Sequence, residues 1–157
     1  MANGIVRVGL VGAGGNTRLR HAPGFRDQSG VEIVSVANRS RESGERFAGE
    51  FEIPKVYDSW VDLINADDTD AICIGTWPYM HRTLTLAALE AGKHVLCEAR
   101  MAMNAKEAHD MLDASRLKPH LIAQIVPAPS TLDVDSTIQG LIADGYLGEI
   151  LAVKPRV

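Results

Sequence analysis

Residues 5–16 read IVRVGLVGAGGN, an apolar run followed by a glycine-rich turn. Such a run predicts a buried strand, and the polar, helix-compatible residues after the turn predict a helix. Glycines between a strand and a helix let the backbone bend tightly and approach a pyrophosphate at the helix N-terminus. The stretch therefore predicts a dinucleotide-binding turn, although Gly12 and Gly14 would also suit an ordinary strand-to-helix connection. Thr17 occupies the third position of the fingerprint, where Gly or Ala is usual, so the match is imperfect.

Apolar runs alternate with segments of helical period along most of the chain. The predicted strands are residues 5–11, 31–37, 71–75, 94–98 and 121–126. The predicted helices are residues 18–28, 41–51, 59–65, 80–91 and 104–117. This alternation is typical of a parallel sheet with helices on both faces. The predicted fold class is therefore α/β, a doubly wound parallel sheet of the Rossmann type.

The pattern changes at residues 127–129, where two prolines close the last of these strands. A further helix is predicted from about Ser130 to Asp144, and a strand from Glu149 to Val153. We therefore expect a dinucleotide-binding Rossmann domain at residues 1–127 and the beginning of a C-terminal substrate or oligomerisation domain at residues 128–157. Because a strand begins so close to the last residue, the sequence has the character of a fragment.

Composition narrows the classes of partner. The chain has 157 residues, a formal net charge of −4 and 46% hydrophobic residues, which offers no basic field for a nucleic-acid backbone. No apolar stretch is long enough to span a bilayer, and the N-terminus lacks a charged and then apolar leader. Cys73 and Cys97 lie in apolar runs, as small core residues do, rather than in a disulfide framework. We expect a cytoplasmic protein with neither a nucleic-acid nor a membrane partner.

The end of the second predicted strand indicates which dinucleotide is bound. An Asp or Glu there would bond the ribose hydroxyls of NAD and repel a 2′-phosphate. This chain has Asn38, Arg39 and Ser40 instead. Arg39 can pair with a phosphate, and the other two can donate hydrogen bonds without repulsion. NADP is therefore the expected cofactor, with NAD also possible; the less favoured alternative is that Arg39 is an ordinary solvated residue at a helix start.

Two further loops follow strands at the edge where parallel sheets bind ligands. In residues 75–81, Trp77 could cover the cofactor, and a structural role for His81 is favoured over a catalytic one. The other loop contains Glu98 and Arg100. Catalytic residues stay unassigned, with Arg100 and His81 as candidates, and no metal site is predicted. The expected cofactor-binding residues are Gly12, Ala13, Gly14, Gly15, Asn16, Asn38, Arg39, Ser40, Thr76, Trp77, His81 and Glu98.

Three segments, Val8–Gly15, Thr76–His81 and Ala87–Glu98, resemble the Gfo/Idh/MocA oxidoreductases, and AALEAGKHVLCE at residues 87–98 is the most specific of them. The resemblance implies a Rossmann domain that binds NAD(P), followed by a domain with an open, mostly antiparallel sheet that holds a sugar or polyol. Residues 145–150 resemble the start of that second domain. The implied reaction moves a hydride between the nicotinamide and a sugar, polyol or related hydroxy compound, in a protein that can form a homo-oligomer.

The sequence departs from this family's pattern beside Glu98. Members usually follow that glutamate with Lys and Pro, and the lysine reaches the substrate hydroxyl and the nicotinamide ribose, whereas this chain has Ala99 and Arg100. A guanidinium keeps its proton and is a poor acid or base. Trp77 also stands where the family often has proline. We expect this chain alone to bind cofactor rather than to catalyse, and Ala99 is the main support for an alternative, a non-catalytic NADP-sensing or regulatory protein.

Overall fold

The computed structural model describes residues 4–127 and 134–154. The chain divides into two compact units, Met1–Val126 and Pro127–Val157. The first unit contains a six-stranded sheet with the order β3-β2-β1-β4-β5-β6, in which every neighbouring pair is parallel. Its strands are β1 (Val6–Val11), β2 (Val31–Ala37), β3 (Lys55–Tyr57), β4 (Ala71–Ile74), β5 (His94–Cys97) and β6 (Ala123–Ile125). The predicted α/β class with a parallel sheet is confirmed.

Helices connect these strands. A π-helical turn at Thr17–His21 leads into α1 (Ala22–Arg26). The remaining helices of the first unit are α2 (Arg41–Phe51), α3 (Trp60–Ile64), α4 (Pro78–Glu90) and α5 (Ala105–Leu117). Ser40, Ser59 and Asn104 cap α2, α3 and α5, because each side chain accepts a hydrogen bond from the backbone N–H three residues later.

The hydrophobic core lies on both faces of the sheet. Side chains alternate along a strand, so Ile72 and Ile74 of β4 belong to one core cluster while Cys73 belongs to the other. Leu84 of α4 packs in the first cluster and Phe47 of α2 in the second. Burial on both faces explains why these strands appear in the sequence as continuous apolar runs rather than as alternating ones.

The strand order creates a crevice at the carboxyl edge of the sheet. β1 pairs with β2 on one side and with β4 on the other, so the connections after β1 and β4 diverge. In open α/β sheets, this topological switch point is where a ligand binds. The fold therefore brings the residues after β1, β2, β4 and β5 to one edge.

Two details of the first unit differ from the sequence predictions. β3 was not predicted, because Lys55–Tyr57 is a short segment with one aliphatic residue and extends the sheet by pairing with β2. The helix predicted at residues 18–28 begins earlier than predicted, at Gly15, passes through the π-helical turn at Thr17–His21, and ends at Arg26.

The second unit contains α6 (Asp135–Ala143), which lies within the helix predicted from about Ser130. The predicted start of that helix falls outside the described residues. The strand predicted at Glu149–Val153 is wrong, since these residues have no strand conformation and no paired strand among the described residues. An isolated strand leaves its backbone donors and acceptors without partners, so its apolar pattern alone does not create one. No helix within residues 4–127 and 134–154 is long and apolar enough to cross a membrane.

Candidate cofactor site

The glycine turn after β1 is shaped by close contact with the loop after β4. Gly12 has a φ of +84°, and a Cβ atom there would lie 2.5 Å from Thr76 Cγ2 and 2.8 Å from the Thr76 backbone nitrogen. Only glycine meets both demands. At Gly14 and Gly15, in contrast, a Cβ atom would meet nothing within 4 Å. Both residues line an open cleft, so their backbone is accessible to a ligand at the start of the following helical turn.

Thr17 occupies the third position of the glycine fingerprint, where Gly or Ala is usual. Its side chain is buried, and its hydroxyl donates to the Gly12 carbonyl at 3.3 Å. A Cβ atom on Gly75 would overlap Thr17 Oγ1 and lie 2.6 Å from the Gly12 carbonyl oxygen. The close approach of helix and strand is therefore achieved by a glycine after β4 instead of one in the helix.

The residues after β2 have three different roles. The Asn38 side-chain oxygen accepts from the Ala13 N–H at 2.6 Å and so braces the glycine turn. The Ser40 hydroxyl accepts from the Ser43 N–H at 3.3 Å, which leaves its own proton to donate. Arg39 is exposed and makes no hydrogen bond or ion pair with any described residue. Arg41 differs, because it pairs with Glu45 at 2.8 Å and with Asp58 at 2.7 Å.

Two clefts meet at Thr76. One, of about 330 Å³, lies at the ends of β1 and β2 and is lined by Arg39, Asp58, Trp60 and Tyr79 among others. The other, of about 530 Å³, lies at the ends of β4 and β5 and is lined by Gly14, Gly15, Asn16, Gly75, Thr76, Trp77, Pro78, Glu98, Ala99 and Arg100. A dinucleotide needs such a bipartite site, with its pyrophosphate at the glycine turn between the halves. These residues fit that group.

The loop after β4 presents an aromatic side chain to the second cleft. Trp77 is 75% exposed and immediately precedes Pro78, the first residue of α4. A large apolar surface left in water beside a cleft is available to cover a planar ligand.

His81 lies behind this loop and not in a cleft. It is fully buried; its Nδ1 lies 2.8 Å from the Arg100 carbonyl oxygen and its Nε2 2.9 Å from the Thr76 carbonyl oxygen. Both ring nitrogens are thus engaged with backbone carbonyls. The geometry does not support His81 as a cofactor contact or a catalytic group; the residue ties the loop after β4 to the loop after β5.

Glu98 is the centre of a polar cluster that the sequence analysis did not find. Its Oε1 contacts the Asn16 side-chain amide and lies 2.5 Å from His21 Nε2, and its Oε2 accepts from the Ala99 N–H at 2.9 Å. The side chains of His21 and Glu98 are 11% and 13% exposed. The sequence does not reveal this cluster, because it depends on the π-helical turn. That turn brings His21, five residues after Asn16, to the same side of the backbone.

Ala99 and Arg100 complete the second cleft. Ala99 carries no group that could transfer a proton, and Glu98 and Arg100 are the charged residues among those that line this cleft. Burial raises the pKa of the Cys73 and Cys97 thiols to about 12, so neither supplies a thiolate nucleophile near neutral pH.

The segment that precedes Glu98, residues 87–97, fixes the position of Glu98 at the second cleft. Gly92 adopts a φ of +75° after α4, and Lys93 Nζ donates to the carbonyls of Ala66 and Thr69 at 2.7 and 2.6 Å. His94 Nδ1 accepts from the Ile122 N–H at 3.0 Å. These contacts fix the amino end of β5 in the sheet, and β5 then places Glu98 at the opposite edge.

Comparison with known proteins assigns this arrangement to a family. A family model named GFO_IDH_MocA, described as "Oxidoreductase family, NAD-binding Rossmann fold", matches residues 6–124. The chain belongs to the Gfo/Idh/MocA family. The resemblance identified in the sequence is thereby confirmed, and so is the NAD-binding Rossmann character of the domain.

The relatives of this Gfo/Idh/MocA chain include a dehydrogenase and two reductases. The trans-1,2-dihydrobenzene-1,2-diol dehydrogenase of Bos taurus is 32% identical over 96% of this chain and 44% of its own length. The 1,5-anhydro-D-fructose reductase of Ensifer adhaerens is 40% identical over 70% of this chain and 33% of its own. The crystal structure of biliverdin reductase from Synechocystis, in complex with biliverdin and NADP+, has a TM-score of 0.70 at 32% identity, covering 76% of this chain and 37% of that one.

This chain therefore spans less than half the length of these relatives. Their names describe enzymes and give no support to the regulatory alternative.

Proposed function

We propose that this chain is the NADP-binding part of an oxidoreductase that moves a hydride between the nicotinamide and an alcohol carbon of a sugar-like or polyol-like substrate. Family membership and a relative that is named as a sugar-derivative reductase support this reaction class. Arg39 is the observation that carries the NADP assignment, because it is exposed beside the cleft at the end of β2 and has no partner among the described residues.

The residues of this chain would bind and orient the cofactor. The backbone at Gly14 and Gly15 would hold the pyrophosphate, while Arg39 and the Ser40 hydroxyl would hold the 2′-phosphate. Asn38 acts indirectly, because its side-chain oxygen is bonded to the Ala13 N–H. The bound nicotinamide would supply the hydride chemistry, and the protein would supply position and electrostatics.

The nicotinamide half of the cofactor would occupy the second cleft. Trp77 would cover the ring or its ribose and exclude water from that face. Asn16 and Glu98 would offer polar contacts at the opposite wall. Ala99 holds no ionisable group, so we propose that the proton-transfer residue and most of the substrate site lie in the C-terminal domain that residues 128–157 begin.

Calorimetric titration with NADP+ and NAD+ tests the cofactor assignment. We expect tighter binding of NADP+, and Arg39→Ala should weaken NADP+ binding by about 1.5–3 kcal/mol, roughly ten- to a hundredfold, because a charge-assisted bond to phosphate is lost. Binding of NAD+ should be unchanged. Arg46→Ala is a matched control, because Arg46 is also an exposed arginine, on α2, and is paired with Glu42. Equal affinities of the wild-type chain for the two cofactors would contradict the assignment.

We further propose a cytoplasmic location. Both cysteines are unpaired and buried in the sheet, which suits a reducing compartment. Assembly into a homo-oligomer through the C-terminal domain stays a prediction.

A further inference from the structure

We propose that His21 is a positioning residue for the nicotinamide half of the cofactor, acting through Glu98. This inference deepens the proposed function and depends on it, because it assigns a role to a cluster in the second cleft. His21 does not line that cleft, whereas Glu98 and Asn16 do.

The contacts fix the Glu98 carboxylate from three sides. His21 Nε2 and the Asn16 amide both contact Oε1, and the Ala99 N–H donates to Oε2. The His21 ring is itself held against Phe25, with ring centroids 6.2 Å apart and an interplanar angle of 27°. An exposed glutamate would sample many rotamers, but this one is 13% exposed and held at both oxygens.

The location of the cluster connects it to the nicotinamide. Arg39 lies in the cleft beside β2, so a cofactor whose 2′-phosphate meets Arg39 must extend its other half across the switch point to the β4–β5 side. Glu98 is at the end of β5, on that side. A carboxylate accepts several hydrogen bonds. The chemistry that it would recognise is therefore a donor group, which the carboxamide N–H and ribose hydroxyls of a nicotinamide nucleoside provide.

The test compares NADP+ with 2′,5′-ADP, which contains the phosphorylated adenosine half and lacks the nicotinamide half. We expect His21→Ala to weaken NADP+ binding about tenfold, because Glu98 loses a hydrogen-bonded partner. Binding of 2′,5′-ADP should stay within a factor of about two of the wild type. His21→Gln keeps a side-chain N–H donor and should recover part of the loss. His109→Ala, at an exposed position on α5, is the control and should change neither affinity.

The outcomes separate this inference from the function on which it depends. If His21→Ala weakens both compounds equally, His21 supports the fold of the whole site, and the inference is overturned. If it weakens neither, the contact with Glu98 has no role in binding, and the inference is likewise overturned. A wild-type chain that binds neither compound overturns the proposed function and this inference together.

Discussion

Among the described residues that line the second cleft, Glu98 is the one with a negatively charged side chain. The oxidised nicotinamide ring is positively charged and the reduced ring is neutral, so a nearby carboxylate favours NADP+ over NADPH. We expect Glu98→Gln to weaken NADP+ binding by about 1 kcal/mol, roughly fivefold, and to change NADPH binding by less than about twofold. Calorimetric titration with each cofactor measures the ratio.

Glu90→Gln makes the same chemical change at an exposed position at the end of α4 and should leave both affinities unaltered. An equal loss of NADP+ and NADPH binding in Glu98→Gln would mean that the carboxylate acts through hydrogen bonds common to both cofactors rather than through the charge of the ring.

At the level of single residues, the sequence predicts the position of a residue at the edge of the sheet better than it predicts the partners of its side chain. Gly12, Gly14 and Glu98 could be located because each follows a recognisable strand. The partners that determine the behaviour of His81 are carbonyls 5 and 19 residues away, and His21 meets an acid 77 residues later. No local sequence pattern predicts such contacts, because they depend on which loops the strand order of the sheet brings together.

At the scale of elements, the junction of β1, the π-helical turn and β4 depends on Gly75. A Cβ atom there would overlap Thr17 Oγ1 and crowd the Gly12 carbonyl. We expect Gly75→Ala to lower the free energy of unfolding by about 1–3 kcal/mol, because the backbone must shift to relieve the overlap. Chemical denaturation measures the change, and NADP+ binding should weaken as the glycine turn moves.

Gly49→Ala provides the comparison for that substitution. Gly49 lies in α2 with nothing within 4 Å of an added Cβ atom, so alanine should raise stability by about 0.5–1 kcal/mol through helix propensity. A Gly75→Ala variant as stable as the wild type would show that the junction can relax without cost.

The sequence predicts the long buried strands better than the short or unpaired ones, and the reason is physical. Strands buried on both faces, such as Ala71–Ile74, form apolar runs that stand out in the sequence. β3 has only three residues and owes its conformation to β2, while residues 149–153 have an apolar, strand-like sequence but no paired strand within residues 4–127 and 134–154. Strand formation depends on pairing, and pairing is a property of the fold rather than of the segment.

At the scale of the whole molecule, the two edges of the sheet carry different tasks. The carboxyl edge holds the glycine turn, Arg39 and Glu98, while the amino edge holds polar contacts that do not face the clefts. Among these, Arg7 at the start of β1 donates from Nε and Nη2 to Asp70 before β4, at 3.0 and 2.7 Å. Stability can therefore be perturbed at one edge with little effect on ligand binding at the other.

The Arg7–Asp70 pair predicts how stability depends on pH. The hydrogen bonds from Arg7 lower the pKa of Asp70 to about 2, below the ordinary value of about 3.9 for an unfolded chain. A carboxylate with a depressed pKa stabilises the fold above the unfolded pKa, and this contribution is lost as the pH falls through the folded value. We expect Asp70→Asn to lower the free energy of unfolding by about 1–2 kcal/mol at pH 7, a figure reduced because Arg7 is partly exposed.

Denaturation of both proteins between pH 7 and pH 2 measures this contribution. The difference between wild type and Asp70→Asn should shrink as the pH falls below about 4, because the unfolded state takes up the proton first. Asp113→Asn is the control, since Asp113 lies 3.7 Å from Arg116 with both side chains 70% exposed, and an exposed pair contributes little. A difference that stays constant across this range would show that Asp70 acts by packing and not by its charge, whereas convergence of the two curves would assign the acid sensitivity of the amino edge to this carboxylate.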